Sequence, residues 1–476
     1  MRVCLVVLAA FAALSAWSEP AAGGGSAGSL TWVDLGPLQP QLEARGLTAD
    51  AFPAYLRRLR ETHAARVRDG DFDHLVFYLL QSTHFTSLPP LEPALSARAL
   101  VDSLSTAGRT SYLGGGALDP SRVPAAVRAR IAALMKALDA PAAGARLRYF
   151  GELASTAFPD GAERASGIGR EYLRTMRFVY QKEFVAQPSA TPADAVADLY
   201  RTRGLSTDTA VEAGFLVSTG LGILKSLEPD RQIRRVLIIG PGLDLAPRTA
   251  LVEEGPPESY QPWAVMDALV AAGLSRMAEL SVVGADINPR VVSHLRRSHD
   301  VPPTLHLVSG IREDATVSMS PEYKEYFEAL GRAIAGPGGA APAPAMVDGH
   351  LRKRVRVSGA AANALSAVPL DIVTERLRGQ TFDLVIATNV LPYFDDQELM
   401  LAMSNIASML APGGVFLHNE ARAALDGISR AVGLPFEHSR HAVVASVRGA
   451  SAPLFDSVWL HRKAPLAPRP PRNPSA

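Results

Sequence analysis

Cysteine is almost absent: Cys4 is the only one in the chain. It sits at the head of a leader-like segment. The mature chain is therefore expected to carry no thiol, no disulfide and no cysteine-ligated metal. A surplus of charge is missing too. Lys and Arg number 48 against 47 Asp and Glu, a formal net charge of +1, which argues against a nucleic-acid or anionic-membrane binder. The sequence has no internal repeat, and its apolar run Leu5 to Ala16 is too short to make a stable membrane span. His63, His74 and His84 lack the two-turn spacing of a zinc helix and read as surface or core histidines. No Cys/His or Ser/His/Asp constellation stands out.

What is present begins with that leader. Arg2 precedes the apolar run, and Ala16-Trp17-Ser18 offers a small-x-small cleavage site, so residues 1–18 read as a secretory signal peptide. Residues 19–29 read as a Gly/Ala/Ser linker. Export to the periplasm or the extracellular space is expected if the leader is genuine, and a cytoplasmic protein if the start codon is misassigned.

From residue 30 to 229 the patterns are helical. Apolar residues at three- and four-residue spacing predict helices over 54–68, 73–81, 93–104, 124–138 and 171–184. Pro/Gly clusters punctuate them. Arg201, Arg203 and the stretch Thr207 to Thr209 read either as a lid over a ligand or as ordinary helix capping.

Beyond residue 230 the period changes. Val236-Leu237-Ile238-Ile239 is a short apolar run typical of a strand buried on both faces. Gly240, Pro241 and Gly242 follow, a tight turn with no side chain to block its backbone. At the C-terminal end of a parallel strand, such a turn is where doubly wound folds hold nucleotide-like ligands. Leu280 to Asn288 repeats the pattern and ends in Asp286, an acid placed to accept both hydroxyls of a ribose. Phe382 to Phe394 is a strand running into Asn389 and an aromatic turn. Leu410 to Glu420 is a helix end, a Pro-Gly-Gly turn and a further strand. His441–Val447 and Ser457–Arg462 alternate as a closing hairpin. Residues 465–476 form a Pro/Arg tail expected to be disordered.

These four segments, in this order, resemble the class I S-adenosylmethionine-dependent methyltransferases over about half the chain. Asn389-Val390-Leu391-Pro392-Tyr393-Phe394-Asp395, and less closely Pro257-Glu258-Ser259-Tyr260, resemble the chemotaxis receptor methyltransferase type within that class. The sequence departs from the class pattern at apolar Ile238, which replaces an acid, and at Asp244, which stands where a third glycine is usual. The resemblance implies α/β architecture: a doubly wound, Rossmann-like methyltransferase sheet over residues 230–464, preceded by the α-helical region. It implies S-adenosylmethionine as cofactor. Gly240, Pro241 and Gly242 would lie against its amino-acid end, Asp244 would pair its ammonium, Asp286 would take the ribose and Ile287 would pack on the adenine. Asn389 and Val390 would line the site, with Tyr393 near the reacting methyl as the candidate catalytic residue. Asp244 as a helix cap and Tyr393 as a core aromatic remain the plain structural readings. His418 and Glu420 are further candidates for handling an acceptor proton.

The implied activity is methyl transfer to an unidentified acceptor, small molecule or protein, with no nucleic-acid partner. Two other classes stay open. One is a catalytically silent methyltransferase-fold binding module, since an exported protein meets little of this cofactor. The other is a nicotinamide-dependent oxidoreductase, which would leave the Asn389 and Pro-Gly-Gly segments unexplained. The leader reading has a direct test. Mass spectrometry of the native protein is expected to find its N-terminus near Glu19, and an intact Met1 would rule out cleavage.

Overall fold

The computed structural model describes residues 26–139, 144–189, 192–246, 250–335 and 341–464. The leader, most of the linker and the C-terminal tail lie outside these. The last linker residues are not loose chain: Ala27–Ser29 forms strand β1. It pairs antiparallel with Glu375–Leu377. Arg378 secures the pairing through its backbone N–H to the Ser26 carbonyl and its guanidinium to the Ser29 carbonyl.

The central sheet has eight strands. In chain order they are Arg235–Ile239 (β2), Ser281–Asp286 (β3), Val317–Met319 (β4), Leu365–Pro369 (β5), Phe382–Ala387 (β6), Leu410–His418 (β7), Phe436–Val447 (β8) and Leu454–Arg462 (β9). Across the sheet they run β4-β8-β9-β7-β6-β2-β3-β5. The five strands from β7 to β5 are mutually parallel, and β9 lies antiparallel between β7 and β8. This is the expected doubly wound, Rossmann-like sheet with a reversed strand at Ser457, extended by the short edge strand β4. Strand β5 had no clear sequence signal, because Leu-Ser-Ala-Val-Pro mixes small residues with an edge proline.

Alternate residues of the parallel strands feed two cores. Val236, Ile238, Val282, Leu384 and Ile386 face one. Leu237, Ile239, Val283, Val385 and Ala387 face the other. Burial on both faces explains why these strands read as continuous apolar runs.

The N-terminal region joins both cores. Phe52–Gln81 forms one 30-residue helix, α1, about 45 Å long at 1.5 Å per residue. Phe52, Leu56 and Leu59 at its start pack into one core, and Phe72, Leu75, Val76 and Leu79 near its end pack into the other. Two helices were expected here, with a break near Asp69-Gly70-Asp71. The helix runs through because Gly70 lets another segment approach. A Cβ at Gly70 would stand 2.0 Å from the Leu205 carbonyl oxygen, and the Leu205 N–H donates to the Arg66 carbonyl at 2.7 Å. Later helices Gly161–Tyr180 (α2) and Val211–Leu227 (α3) complete the first core. Asp396–Met409 (α4) completes the second.

The boundary expected near residue 229 therefore falls inside shared cores rather than between separate ones. A chain starting at Asp230 would expose the apolar surface that α1, α2 and α3 cover. It is expected to show no cooperative thermal transition, whereas the chain from Ser26 melts as one unit, as circular dichroism will report.

Candidate functional site

The strand order reverses at β2, whose neighbours are β3 and β6. Ligands of open α/β sheets bind at such a switch point, outside the C-terminal strand ends. A cleft opens there, enclosing about 790 Å³ of empty space with its mouth included.

The first wall is the turn after β2. Gly240 and Gly242 adopt left-handed conformations, φ 63° and 74°, which disfavour any side chain. Space forbids one as well: a Cβ at Gly240 would meet Val390 Cγ2 at 2.5 Å, and one at Gly242 would meet the Thr207 carbonyl oxygen at 2.6 Å. The second wall is the end of β3. Asp286 and Ile287 line the cleft. The Asn288 backbone N–H donates to Asp286 Oδ1 at 2.8 Å. Burial pushes the Asp286 carboxyl up to about 7, and neighbouring Asp71 adds to the rise, while the Asn288 and Gly242 backbone N–H groups oppose it.

The third wall is the turn after β6. Asn389 sits at φ 59°, a left-handed position that asparagine tolerates better than most residues. The Asn419 side chain bonds it twice: Asn419 Nδ2 donates to Asn389 Oδ1, and the Asn389 backbone N–H donates to Asn419 Oδ1, each at 2.8 Å. Arg422 donates to the carbonyls of Leu391 and Phe394, both at 2.8 Å, and so fixes the aromatic turn. Val390 and Tyr393 face the cleft.

Tyr393 is 9% exposed. Burial holds its hydroxyl up at about 12, so it stays protonated and serves as a donor or packing surface rather than a base. Its ring lies edge-on to Tyr200 at 5.4 Å.

The cleft thus gathers Gly240, Gly242, Asp286, Ile287, Asn389, Val390 and Tyr393 from the sequence-derived set. Pro241 and Asp244 do not line it. Pro241 packs beneath the turn, beside Gly284 of β3. The Asp244 backbone is held outside the cleft: its N–H bonds the Glu258 carbonyl at 2.8 Å and its carbonyl accepts from Arg146. Glu258 is buried beside Asp244, and burial pushes its carboxyl up to about 8. The Pro257–Tyr260 stretch therefore presents no carboxylate to the cleft, which Gln261 lines instead. His418 and Glu420 do not line it either. Burial drives the His418 imidazole well down, and Glu420 pairs with Arg422 at 3.0 Å.

The roof comes from the N-terminal region, and sequence reasoning left it undecided. Leu205 to Thr209 cross the cleft. Thr207 grips the glycine turn: its carbonyl accepts the Leu243 N–H at 2.7 Å, and its hydroxyl donates to the Leu243 carbonyl at 3.2 Å. The lid reading of Thr207–Thr209 describes their position. Arg203 instead stacks on Phe178, 4.3 Å from the ring centre, and pairs with Asp73 at 3.4 Å.

His63 is a core histidine, one of the two readings its spacing allowed, and it also borders the cleft, which the sequence did not show. It lines the cleft, is 1% exposed, and lies between two carboxylates: Nδ1 is 2.9 Å from Asp371 Oδ2, and Nε2 is 2.9 Å from Glu398 Oε1. Burial alone would lower its basicity, but the two acids outweigh it and push the imidazole up to about 9. His63 is an imidazolium that fixes Asp371 in the wall. Among the described residues, no cluster of three or more His, Cys, Asp or Glu is placed to hold a metal.

No protein-family model matches the chain, and no curated protein matches it. Solved structures with a similar fold include the N-methyltransferase NodS of Bradyrhizobium japonicum WM9 in complex with S-adenosyl-L-homocysteine. The identity is 15%, the match covers 52% of this chain and 87% of that one, and the TM-score is 0.27. Magnesium protoporphyrin IX methyltransferase of Synechocystis PCC 6803 with bound SAM aligns at 11% identity, covering 53% of this chain and 82% of that one, TM-score 0.28. The methyltransferase CcbJ of Streptomyces caelestis aligns at 12% identity, covering 53% and 95%, TM-score 0.29.

The His63 clamp sets a pH dependence with a definite sign. A base raised from 6.5 to about 9 contributes stability fully below pH 6.5 and loses it as pH rises through 9. Urea unfolding is expected to show wild type weakening between neutral pH and pH 9–10. His63→Ala, which leaves two buried carboxylates facing each other, is expected to be about 3–5 kcal/mol less stable at pH 7 and to lack that alkaline loss.

Proposed function

We propose that the chain is an S-adenosylmethionine-dependent methyltransferase acting on an acceptor still to be identified. One observation carries this reading: a buried carboxylate, Asp286, faces the cleft across from a left-handed glycine turn at the switch point of a doubly wound sheet. The residues present fit the cofactor. The Gly240–Gly242 turn leaves bare backbone for its amino-acid portion, Asp286 offers an acceptor to its ribose hydroxyls, and Ile287 with Leu370 and Ile372 gives an apolar slot for adenine. The cofactor would supply an already activated methyl group. The chain's own task is then to orient both reactants and exclude water, for which Tyr393 and the Leu205–Thr209 roof are placed.

The likeness to the chemotaxis receptor type rests on the Asn389–Asp395 turn. Here Asp395 caps α4 in a capping box with Glu398, a structural role that says nothing about the acceptor. A silent binding module is the second reading, favoured by the leader at residues 1–18 and the export we infer from it. Binding without turnover would support it.

Calorimetry tests which cofactor the cleft takes. Wild type is expected to bind S-adenosylhomocysteine and not NAD; the reverse would favour an oxidoreductase. Asp286→Asn is expected to lose about 1.5–3 kcal/mol of that affinity, the worth of charge-assisted bonds to a buried diol. Wild-type affinity is expected to fall as pH drops below 7, where protons compete for the carboxylate. Stability should move the other way. An acid raised from 3.8 to about 7 destabilises the unliganded fold as pH rises across that window. Unliganded Asp286→Asn should therefore melt above wild type at pH 8 and gain little at pH 5. An unchanged affinity in the variant would remove Asp286 from the site.

A further inference from the structure

A second cavity adjoins the cleft, between the start of α3 and the β8–β9 hairpin, with about 510 Å³ of empty space including its mouth. The two cavities share Asp208, Ala213 and Asn389, so they meet at the tip of β6 under the roof. The side cavity has an apolar wall, Phe215, Leu216 and Val444. It holds three carboxylates, Asp208, Glu212 and Asp456, and no Lys, Arg or His among its described lining residues.

Two of those carboxylates are already engaged. Glu212 accepts from the Tyr323 hydroxyl at 2.6 Å and the Gly310 N–H at 2.7 Å. Asp456 accepts from Asn419 Nδ2 at 2.9 Å and the Ser457 N–H at 2.7 Å. Asp208 differs. Its Oδ1 is buried and makes no hydrogen bond. Its closest cationic-capable neighbour is His74 Nε2 at 3.4 Å, an atom that also meets Ser206 Oγ at 2.9 Å. A buried carboxylate oxygen with no hydrogen bond and one ion-pair partner at 3.4 Å is incompletely compensated, and this one, on a side chain 24% exposed, stands where the two cavities join.

We propose that the side cavity is the acceptor subsite and that Asp208 binds an amine there. The acceptor is an amine-bearing molecule with an apolar flank, its nitrogen against Asp208 and its carbon skeleton against Phe215, Leu216 and Val444. This rests on the reading that the main cleft holds S-adenosylmethionine. A group that reaches the cofactor from the side cavity passes the junction, and Asp208 makes the charge available there negative.

Sinefungin tests the placement. It has the frame of S-adenosylhomocysteine, but a carbon bearing a protonated amine replaces the sulfur, so the amine stands where the transferable methyl would, on the side from which the acceptor arrives. By calorimetry, wild type is expected to bind sinefungin about tenfold or more tighter than S-adenosylhomocysteine, the scale of one charge-assisted bond. Asp208→Asn is expected to erase that preference, so that the two ligands bind it with comparable affinity, and its circular dichroism spectrum and thermal transition report that it is folded. In wild type alone, added salt should shrink the preference and spare S-adenosylhomocysteine. Equal affinity of the two ligands for wild type, or a preference untouched by Asp208→Asn or by salt, overturns the proposal. Failure of both ligands to bind wild type overturns the cofactor reading and this one with it.

Discussion

The structure depends on one stripe of side chains along α1. Phe52, Leu56, Leu59, His63, Arg66, Gly70 and Asp73 fall at alternating steps of four and three residues, which places them on one helix face. The stripe begins apolar and turns polar where the helix crosses the tips of the strands. Its polar members are all buried. His63 bonds Asp371 and Glu398. Arg66 donates to the carbonyls of Arg203, Tyr200 and Tyr393, at 2.9, 3.1 and 2.9 Å. Asp73 receives Arg174 and Thr175, each at 2.8 Å. Beside the stripe, Asp71 accepts from Asn288 Nδ2 at 2.9 Å. Asn288 follows Asp286 by two residues, so the helix steadies the acid loop from behind. Each of these groups would be expensive to bury alone. Together they leave the helix one seat across the sheet, and the cleft takes its shape from that seat.

This stripe is also why the site was only half legible in the sequence. The glycine turn, Asp286 and the Asn389 turn each follow an apolar run whose strand period is visible within a few residues. Their chemistry is local, and local patterns survive in a single sequence. His63 gave no such signal, because its two partners lie 308 and 335 residues further along the chain. Nor did α1's continuity: Arg68-Asp69-Gly70-Asp71 reads as a turn until Leu205 is seen against the glycine and Asn288 against Asp71. The roof residues were named as candidates, yet nothing in their composition distinguishes a lid from a helix cap. That decision comes from Thr207 bonding the turn 36 residues later. Asp244 is the opposite case. Its spacing after the glycines suggested a ligand contact, but its backbone pairs with Glu258 and it does not line the cleft.

The cleft is costly by the ordinary measures of a folded protein. It combines left-handed backbone at Gly240, Gly242 and Asn389, a carboxyl at Asp286 whose ionisation is opposed by burial, and a carboxylate oxygen at Asp208 that makes no hydrogen bond. Such costs concentrate where a ligand is to be met. The surrounding structure must then be stable enough to hold these groups unsatisfied. That is the physical reason the helical region cannot be an independent appendage. By sinking its own polar stripe into satisfied pairs and its apolar ends into both sheet cores, α1 keeps the roof and both walls in register, so that the unsatisfied groups remain aimed into the cavities instead of finding partners by collapse.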